Sequence, residues 1–268
     1  MEQISIPQKV YKYRSIQSNH LEDSLQGKMY FSRPSKINAN DPNDCKVNID
    51  KGKCVQFLMG LYKCKRNCAE SFYTKIEENW IQEGIAEDGT KRLGLQDTIR
   101  IACFTTIEPN SPESKNMWDE FGDGTGYCIE YEVTEDIFYP CTIVFLPVCY
   151  AMDKVYDDTD YVIEMMRYLK LKSDNGEKPQ LNERFVARGY NHTLFKPSKY
   201  RNEKEWRIVI PANRYSCYFD ENREDGGYKF MKQAIKKIYT RKEDKCESSL
   251  LGRIQKCADM MHIEHIRL

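Results

Sequence analysis

The chain has 268 residues, of which 40% are hydrophobic and 12% aromatic, and its 41 basic and 41 acidic residues give a formal net charge of zero. This length and apolar content are typical of a folded globular protein with a substantial core, and they exclude an intrinsically disordered chain. The charge balance argues against a protein whose main task is to coat nucleic acid, because such a protein needs excess positive charge.

The 11 cysteines require an explanation. The first residues lack the basic and apolar runs of a secretory signal, and no apolar stretch approaches the roughly 20 residues that cross a bilayer. We therefore expect a cytoplasmic protein without membrane contact, whose cysteines are reduced and largely buried. Zinc sites usually combine two closely spaced ligand pairs, whereas Cys64/Cys68 and His262/His265 each lack a matching second pair. We expect no metal.

Turn residues divide the first half of the chain into short periodic segments. Alternating apolar and polar residues at 127–133 predict a half-buried strand, and helical spacing of apolar residues at 69–80 predicts a helix. The segment 19–27 begins with a capping pattern and ends at a glycine, which predicts a short helix. The elements predicted in this half are strands at 9–15, 29–32, 99–106 and 127–133, and helices at 19–27, 69–80 and around 117–121.

Strands also dominate the second half. Residues 142–150 form a nearly continuous apolar run, which predicts a strand in the centre of a sheet. The other predicted elements are strands at 206–210, 235–240 and 262–268, and helices at 161–172 and 250–260. Because strands outnumber helices and few regular βαβ units occur, the sequence predicts an α+β fold. We expect a single domain over residues 1–268, with a mainly antiparallel or mixed sheet and flanking helices.

Residues 203–207 combine a cluster of charges with apolar neighbours. Successive side chains of a strand point to opposite faces, so Glu203, Glu205 and Arg207 are predicted to share one face. Trp206 would then point into the core. Two carboxylates beside a cation are suited to stabilising a developing positive charge and to orienting a nucleophile. The alternative is a solvated strand end with a surface Glu–Arg pair that contributes little stability.

A second candidate group lies in the strand at 9–15, where Lys12 and Arg14 share one face. Such cations can hold a phosphate, Arg as a bidentate fork and Lys as a point charge, although exposed strand charges are the other explanation. The loop 38–44 reads as a structural turn, but Asp41 and Asp44 are also candidates for a ribose or a metal ion. Trp118 is either a core residue or a ring that stacks on a base or on nicotinamide.

Taken in order, these pieces resemble a bacterial family known as domain of unknown function 2971. The landmarks that carry the resemblance are residues 11–14, 29–32, 40–42 with 44, 103–104, 117–118, 126–130, 148–150, 196 and 203–207. They span most of the chain. Two positions depart from the family pattern, which often has His where Thr125 stands and Trp where Tyr200 stands.

The order of a basic aromatic strand, a Phe-Thr-Thr strand and a Glu-x-Glu strand is also similar to the plan of ADP-ribosyltransferases. That resemblance implies NAD as substrate, with its phosphates held by Arg14 or Lys12 and the Glu-bearing strand braced by Thr105. Glu205 would accept the ribose 2′-hydroxyl and stabilise an oxocarbenium-like transition state, and Glu203 would orient the acceptor. The residues then expected around NAD are Lys12, Tyr13, Arg14, Asn40, Asp41, Thr105, Trp118 and Arg207.

The resulting hypothesis is an NAD-consuming ADP-ribosyltransferase-like enzyme or NAD glycohydrolase, acting as a bacterial toxin or in anti-phage defence. Its acceptor, a protein or a nucleic acid, is left open. A second hypothesis is a non-catalytic module that binds a ligand or a protein. A third is a metal-dependent nuclease in which Asp41, Asp44 and Glu205 hold Mg²⁺.

Overall fold

The computed structural model describes residues 4–16, 21–37, 41, 43–85, 89, 91–134, 144–150, 156–177, 189–212, 219–222, 226–241 and 248–268. Within these ranges ten strands form one mixed sheet, and two short strands form a separate hairpin. The predicted α+β fold with a mixed sheet and flanking helices is therefore confirmed.

The main sheet has the order β12-β11-β6-β1-β5-β2-β10-β9, with β8 paired to β5 and β7 paired to β8. Each described pairing in this sheet is antiparallel except that of β11 with β12. The strands are β1 Lys9–Arg14, β2 Lys28–Ser32, β3 Gly84–Ile85, β4 Lys91–Arg92, β5 Ile99–Thr105, β6 Tyr127–Glu132, β7 Val144–Pro147, β8 Glu205–Pro211, β9 Glu221–Asn222, β10 Gly226–Phe230, β11 Ile235–Thr240 and β12 Glu264–Arg267.

Helices cover both faces of the sheet. They are α1 Leu21–Leu25, α2 Lys51–Tyr62, α3 Arg66–Ile76, α4 Ser114–Phe121, α5 Thr159–Asp174 and α6 Ser248–Met261. A π-helical turn, Glu77–Ile81, continues α3. On one face, Ile254 of α6 and Leu25 of α1 join the cluster that contains Ile129. On the other face, Trp118 of α4 packs with Cys128.

The helices α2, α3 and α5 build a core of their own. Val55, Leu58, Tyr73, Val162 and Met165 are each at most 3% exposed and belong to one cluster. Helix α2 begins where the side chain of its N-cap residue accepts a hydrogen bond from the third helical N–H, which satisfies one of the unpaired donors of the first turn. This arrangement packs an all-helical layer beside the sheet.

Strand β5 is where the sheet divides. On one edge it pairs with β8 along its whole length. On the other edge it pairs with β1 at Thr105 and with β2 at Ile101, so that two different strands share this edge. We call the space between β1 and β2, next to residues 101–105, the fork. Only β5 separates the fork from β8, the strand that carries Glu205.

Three predictions about individual elements were wrong. The strand at 127–133 is not half-buried: five residues of β6 are buried, because α4 covers the face opposite to α1 and α6. Strand β7 is not central, since among the described residues it pairs only with β8. Glu203 does not belong to the strand that follows it: it ends a 3₁₀ helix, Ser198–Glu203, and β8 begins at Glu205.

No helix in the described ranges is long and apolar enough to cross a membrane. The eight cysteines that these ranges contain are free thiols. The predicted cap Asn19 and the candidate site residue Asn40 lie outside the described residues.

Candidate functional site

A cavity of about 530 Å³ opens at the fork. Residues from β1, β2, β5 and α4 line it together with the segment that precedes β8. Its charged lining residues are Lys12, Arg14, Asp44, Glu120, Lys196, Glu203 and Glu205. The cavity therefore brings the acidic residues before β8 and the basic residues of β1 into one space, although the two segments are almost 190 positions apart in the chain.

Arg207 holds two carboxylates of the cavity wall, those of Asp44 and Glu205, in place from the protein interior. Its side chain is fully buried, and its two terminal nitrogens donate to Asp44 Oδ1 and Oδ2 at 3.0 and 2.9 Å. Its Nε donates to Glu205 Oε1 at 2.7 Å, and it also donates to the carbonyl oxygen of Thr193. This geometry excludes the solvated strand end, because each charge is buried and paired.

Lys196 holds the same carboxylates from the cavity side. Its Nζ donates to Glu203 Oε2 at 2.6 Å and to Glu205 Oε2 at 3.0 Å, and lies 3.5 Å from Asp44 Oδ2. The ammonium group also lies over the Tyr200 ring, 5.0 Å from the centroid. Lys196 is only 5% exposed, so these contacts replace its hydration.

The pKa values of the two glutamates of the cluster are shifted in opposite directions. Asp44, Glu203 and Glu205 share two cations, Lys196 and Arg207. Burial alone would raise the pKa of Glu205, but Arg207 and Lys196 outweigh burial and hold that pKa well below its usual value. Burial raises the pKa of Glu203, and the attraction of Lys196 offsets only part of this effect. Of these two glutamates, Glu203 therefore holds a proton more readily than Glu205.

The turn between the 3₁₀ helix and β8 brings Glu203 to the cavity. Lys204 adopts a left-handed conformation with φ of 44°, which ends the 3₁₀ helix and makes a turn between the two glutamates. Thr105 Oγ1 donates to the carbonyl oxygen of Glu203 at 2.6 Å, and Thr105 pairs with Glu205 across the sheet. The expected bracing by Thr105 thus has a geometric basis in the turn as well as in the strand.

The basic wall of the cavity is formed by β1. Lys12 Nζ donates to the carbonyl oxygen of Cys103 at 2.6 Å, within the fork, and burial together with the charge of Arg14 lowers the pKa of Lys12 to about 7. Within the part of the chain that the structure describes, no carboxylate forms an ion pair with Arg14. Arg14 is thus a charged group that faces the cavity without a partner carboxylate there.

The turn after α4 packs against the end of β1 and shapes the cavity rim. A Cβ atom on Gly126 would lie 2.1 Å from the carbonyl oxygen of Arg14, so only glycine fits this contact. Phe121, the last residue of α4, lines the cavity and is 42% exposed. An exposed aromatic ring therefore stands at the rim, on the helix whose following turn packs against Arg14.

Residues 117–208 match a family model, described as protein of unknown function (DUF2971). The predicted resemblance to this family is confirmed over that segment. No curated protein and no solved structure matched the chain. The DUF2971 segment contains Lys196, both glutamates and Arg207, whereas Lys12 and Arg14 lie outside it and reach the same cavity through the fold.

Two predicted ligand-binding residues are placed away from the cavity. Trp118 is 2% exposed, its Nε1 donates to the carbonyl oxygen of Pro109 at 3.1 Å, and its ring meets that of Tyr13 edge-on at 4.9 Å. Trp118 is thus a core residue of the DUF2971 segment, with no face open to a ligand. Arg207 is equally inaccessible, because Asp44, Glu205 and Thr193 occupy its donors.

The remaining predicted residues are divided between the cavity and its supports. Lys12, Tyr13, Arg14, Thr105, Glu203 and Glu205 line the cavity. Tyr13 lines it while its hydroxyl donates to the carbonyl oxygen of Ile107 at 3.0 Å. Asp41 is buried and its Oδ1 accepts the N–H of Asn43 at 3.0 Å, as expected of a structural turn.

Three residues of the site were not predicted in the roles that they have here. Lys196 was noted only as a family landmark, Asp44 only as a turn residue or a candidate for a ribose or a metal ion, and Phe121 only as part of the predicted helix around 117–121. For Phe121 the sequence signal is misleading, because residues three apart on a helix are neighbours and the spacing groups Phe121 with the core residue Trp118. Lys196 and Asp44 had none, since their contacts depend on the tertiary fold.

Proposed function

We propose that the chain cleaves the bond between nicotinamide and ribose in NAD, as an ADP-ribosyltransferase-like enzyme or an NAD glycohydrolase. The observation that carries the proposal is that Glu203, Glu205 and Arg14 line one cavity. Carboxylates, a free cation and an aromatic rim match the ribose, the phosphates and the base of a nucleotide.

In this proposal Arg14 holds the diphosphate. Its guanidinium is permanently charged and offers two parallel donors to phosphate oxygens. Lys12 Nζ donates to the carbonyl oxygen of Cys103 inside the fork, so a backbone acceptor already occupies its ammonium group. Of the two cations that the resemblance offers for the phosphates, the geometry favours Arg14.

The two glutamates divide the chemistry between them. As nicotinamide leaves, the ribose acquires positive charge at its anomeric carbon, and the ionised Glu205 stabilises that charge. Arg207 and Lys196 fix the position of Glu205, so little reorganisation accompanies the reaction. Glu203, whose pKa is raised by burial, orients the acceptor, and in its ionised form it takes the proton of the acceptor.

Phe121 replaces Trp118 as the proposed stacking residue. Its ring is exposed at the rim, and the turn after its helix touches the backbone of Arg14. In this proposal the adenine base of NAD stacks on Phe121 and the diphosphate lies beside Arg14. The ribose bonded to nicotinamide then lies further into the fork. Stacking on an aromatic side chain contributes about 1–3 kcal/mol per base.

The alternative of a Mg²⁺-dependent nuclease has less support from the geometry. Asp44 and Glu205 already bind Arg207 and Lys196 through their carboxylate oxygens, and a metal ion would have to displace both cations. A non-catalytic nucleotide-binding module uses the same cavity and differs only in the absence of turnover.

The test is release of nicotinamide from NAD by the full chain, followed by chromatography. We expect Glu205→Gln and Glu203→Gln to lower the rate at least about 100-fold. Glu113→Gln is the matched control, because Glu113 is an exposed carboxylate that pairs with Lys204 next to the site. If calorimetry detects NAD binding but no nicotinamide is released, the chain is a binding module. If the chain neither binds NAD nor releases nicotinamide, the proposal is refuted.

A further inference from the structure

Lys12 differs from the other basic residues of the site in its surroundings. Its Nζ donates to the carbonyl oxygen of Cys103 at 2.6 Å and lies 5.1 Å from the centroid of the Phe104 ring. Within the described ranges no carboxylate lies at ion-pair distance from it. The carbonyl group that it contacts belongs to β5 inside the fork, between the points where β1 and β2 pair with that strand.

This environment favours the neutral amine. Burial removes water from Nζ, and the guanidinium of Arg14 repels a second positive charge, so the pKa of Lys12 falls to about 7. A neutral amine is a nucleophile, and lysines that form covalent bonds with carbonyl compounds are activated by desolvation or by a neighbouring cation. Both conditions hold at Lys12.

Two other groups that line the same cavity complete a covalent site. Arg14 follows on the same face of β1 and can bind an anionic group of a ligand in the same cavity. Glu203 lines the cavity and its pKa is raised by burial, so its protonated form can act as a general acid. An amine, an acid and an anion-binding cation around an open cavity are the parts that imine formation requires.

We infer that Lys12 is a covalent binding site for phosphorylated aldehydes, which form an imine with its Nζ while Arg14 holds the phosphate. The lone pair of Nζ attacks the aldehyde carbon, and a proton passes from nitrogen to oxygen to give a carbinolamine. Glu203 then donates its proton to the carbinolamine hydroxyl, which leaves as water, and an iminium ion and an ionised Glu203 result. No oxidant or reductant takes part.

The imine site at Lys12 does not depend on the cleavage of NAD, but one compound, ADP-ribose, is relevant to both proposals. Hydrolysis of NAD would release ADP-ribose, whose ring-opened ribose carries an aldehyde and whose diphosphate suits Arg14. In NAD itself the same carbon is bonded to nicotinamide and has no aldehyde form. ADP-ribose therefore tests the imine, whereas NAD tests cleavage and the imine together.

The experiment traps the imine by reduction. The full chain is incubated at neutral pH with ADP-ribose and sodium cyanoborohydride, which converts an imine to a stable secondary amine, and labelled lysines are found by peptide mass spectrometry. We expect Lys12 to carry at least about tenfold more label than Lys9 of the same strand, because an ordinary lysine is protonated at this pH. Equal labelling of both lysines, or no label on Lys12, overturns the inference.

Variants of individual residues show which side chains take part in imine formation. Lys12→Arg should abolish the dominant label and Lys9→Arg should leave it unchanged. Arg14→Ala should reduce labelling by ribose 5-phosphate several-fold more than labelling by unphosphorylated glyceraldehyde, because loss of the Arg14 charge raises the pKa of Lys12 for both aldehydes but removes a phosphate contact for only one. Equal effects on both aldehydes contradict the phosphate-binding role of Arg14. Because labelling is mapped on the unmodified chain first, a poorly folded variant does not decide the result.

The two proposals can fail separately. Labelling of Lys12 by ADP-ribose but not by NAD supports the imine site and contradicts NAD cleavage. Nicotinamide release from NAD without label on Lys12 supports cleavage and overturns the imine site.

Discussion

Lys196 joins Glu203 and Glu205 through a single ammonium group, with distances of 2.6 and 3.0 Å from Nζ to the two Oε2 atoms. The segment that carries Lys196 is fixed by the backbone, since the N–H of Lys196 donates to the carbonyl oxygen of Cys149 at 3.1 Å. The acidic pair is therefore connected to a second part of the DUF2971 segment through one buried cation.

Lys196→Met is expected to lower the free energy of unfolding by about 3–5 kcal/mol, because the variant leaves buried carboxylates without their cation. The exposed Lys199, three residues further on, provides the matched variant Lys199→Met, for which we expect a change within about 0.5 kcal/mol. Urea unfolding of both variants measures the difference. Similar values for the two would show that the bridge contributes no stability.

The opposite pKa shifts of the two glutamates predict opposite pH effects. A glutamate in an unfolded chain has a pKa of about 4.3. The raised pKa of Glu203 contributes stability below that value, and this contribution is lost as pH rises through the folded-state pKa. The depressed pKa of Glu205 contributes stability above that value, which is lost as pH falls towards the folded-state pKa.

Glu203→Gln removes the cost of ionising a buried group, and its amide oxygen can still accept from Lys196. Relative to the unmodified chain, the free energy of unfolding of Glu203→Gln should therefore increase as pH rises above about 4.3, whereas that of Glu205→Gln should increase as pH falls below about 4.3. Urea unfolding on both sides of this pH provides the comparison. No relative change for Glu203→Gln above about pH 4.3 would contradict the raised pKa of Glu203.

Local patterns in the sequence predict much of the sheet and part of the site. Strand β8 and its alternation are recognisable because Trp206 and Ile208 face the main core while Arg207 faces the other way. The basic face of β1 is recognisable for the same reason. In both cases a period of two residues decides which side chains share a face.

Other features depend on tertiary contacts and leave no local pattern. Arg207 and Asp44 are 163 positions apart, so their bidentate pair exists only in the folded chain. Helix α2 contains Gly52 and Gly60, whose low helix propensity obscures the helical pattern. The contact of Glu203 with the cavity depends on the left-handed Lys204, which breaks the strand that simple alternation predicts.

Phe121→Ala tests the aromatic rim. We expect the variant to bind ADP-ribose about fivefold to tenfold more weakly, because stacking of a base on an aromatic ring contributes at least about 1 kcal/mol. Ribose 5-phosphate has no base, so its affinity should not change. Calorimetry with both ligands measures the two affinities, and equal weakening for both would show that Phe121 does not contact the base.

Gly126→Ala tests the contact between the turn after α4 and the end of β1. Its Cβ would lie 2.1 Å from the carbonyl oxygen of Arg14 and 2.7 Å from that of Gly122, so the backbone on at least one side must move. We expect a loss of about 1–3 kcal/mol in the free energy of unfolding, as for other overpacked sites. ADP-ribose should also bind more weakly, because Arg14 is displaced.

The helical residue Gly252 supplies the control for this substitution. A Cβ there meets open space, and Gly252→Ala should raise the free energy of unfolding by about 0.5–1 kcal/mol through the better helix propensity of alanine. Urea unfolding and calorimetry on the two alanine variants separate a steric effect at β1 from a general effect of removing glycine. If Gly126→Ala instead behaves like Gly252→Ala, then the turn does not position Arg14, and the arrangement of rim and cation proposed for nucleotide binding is wrong.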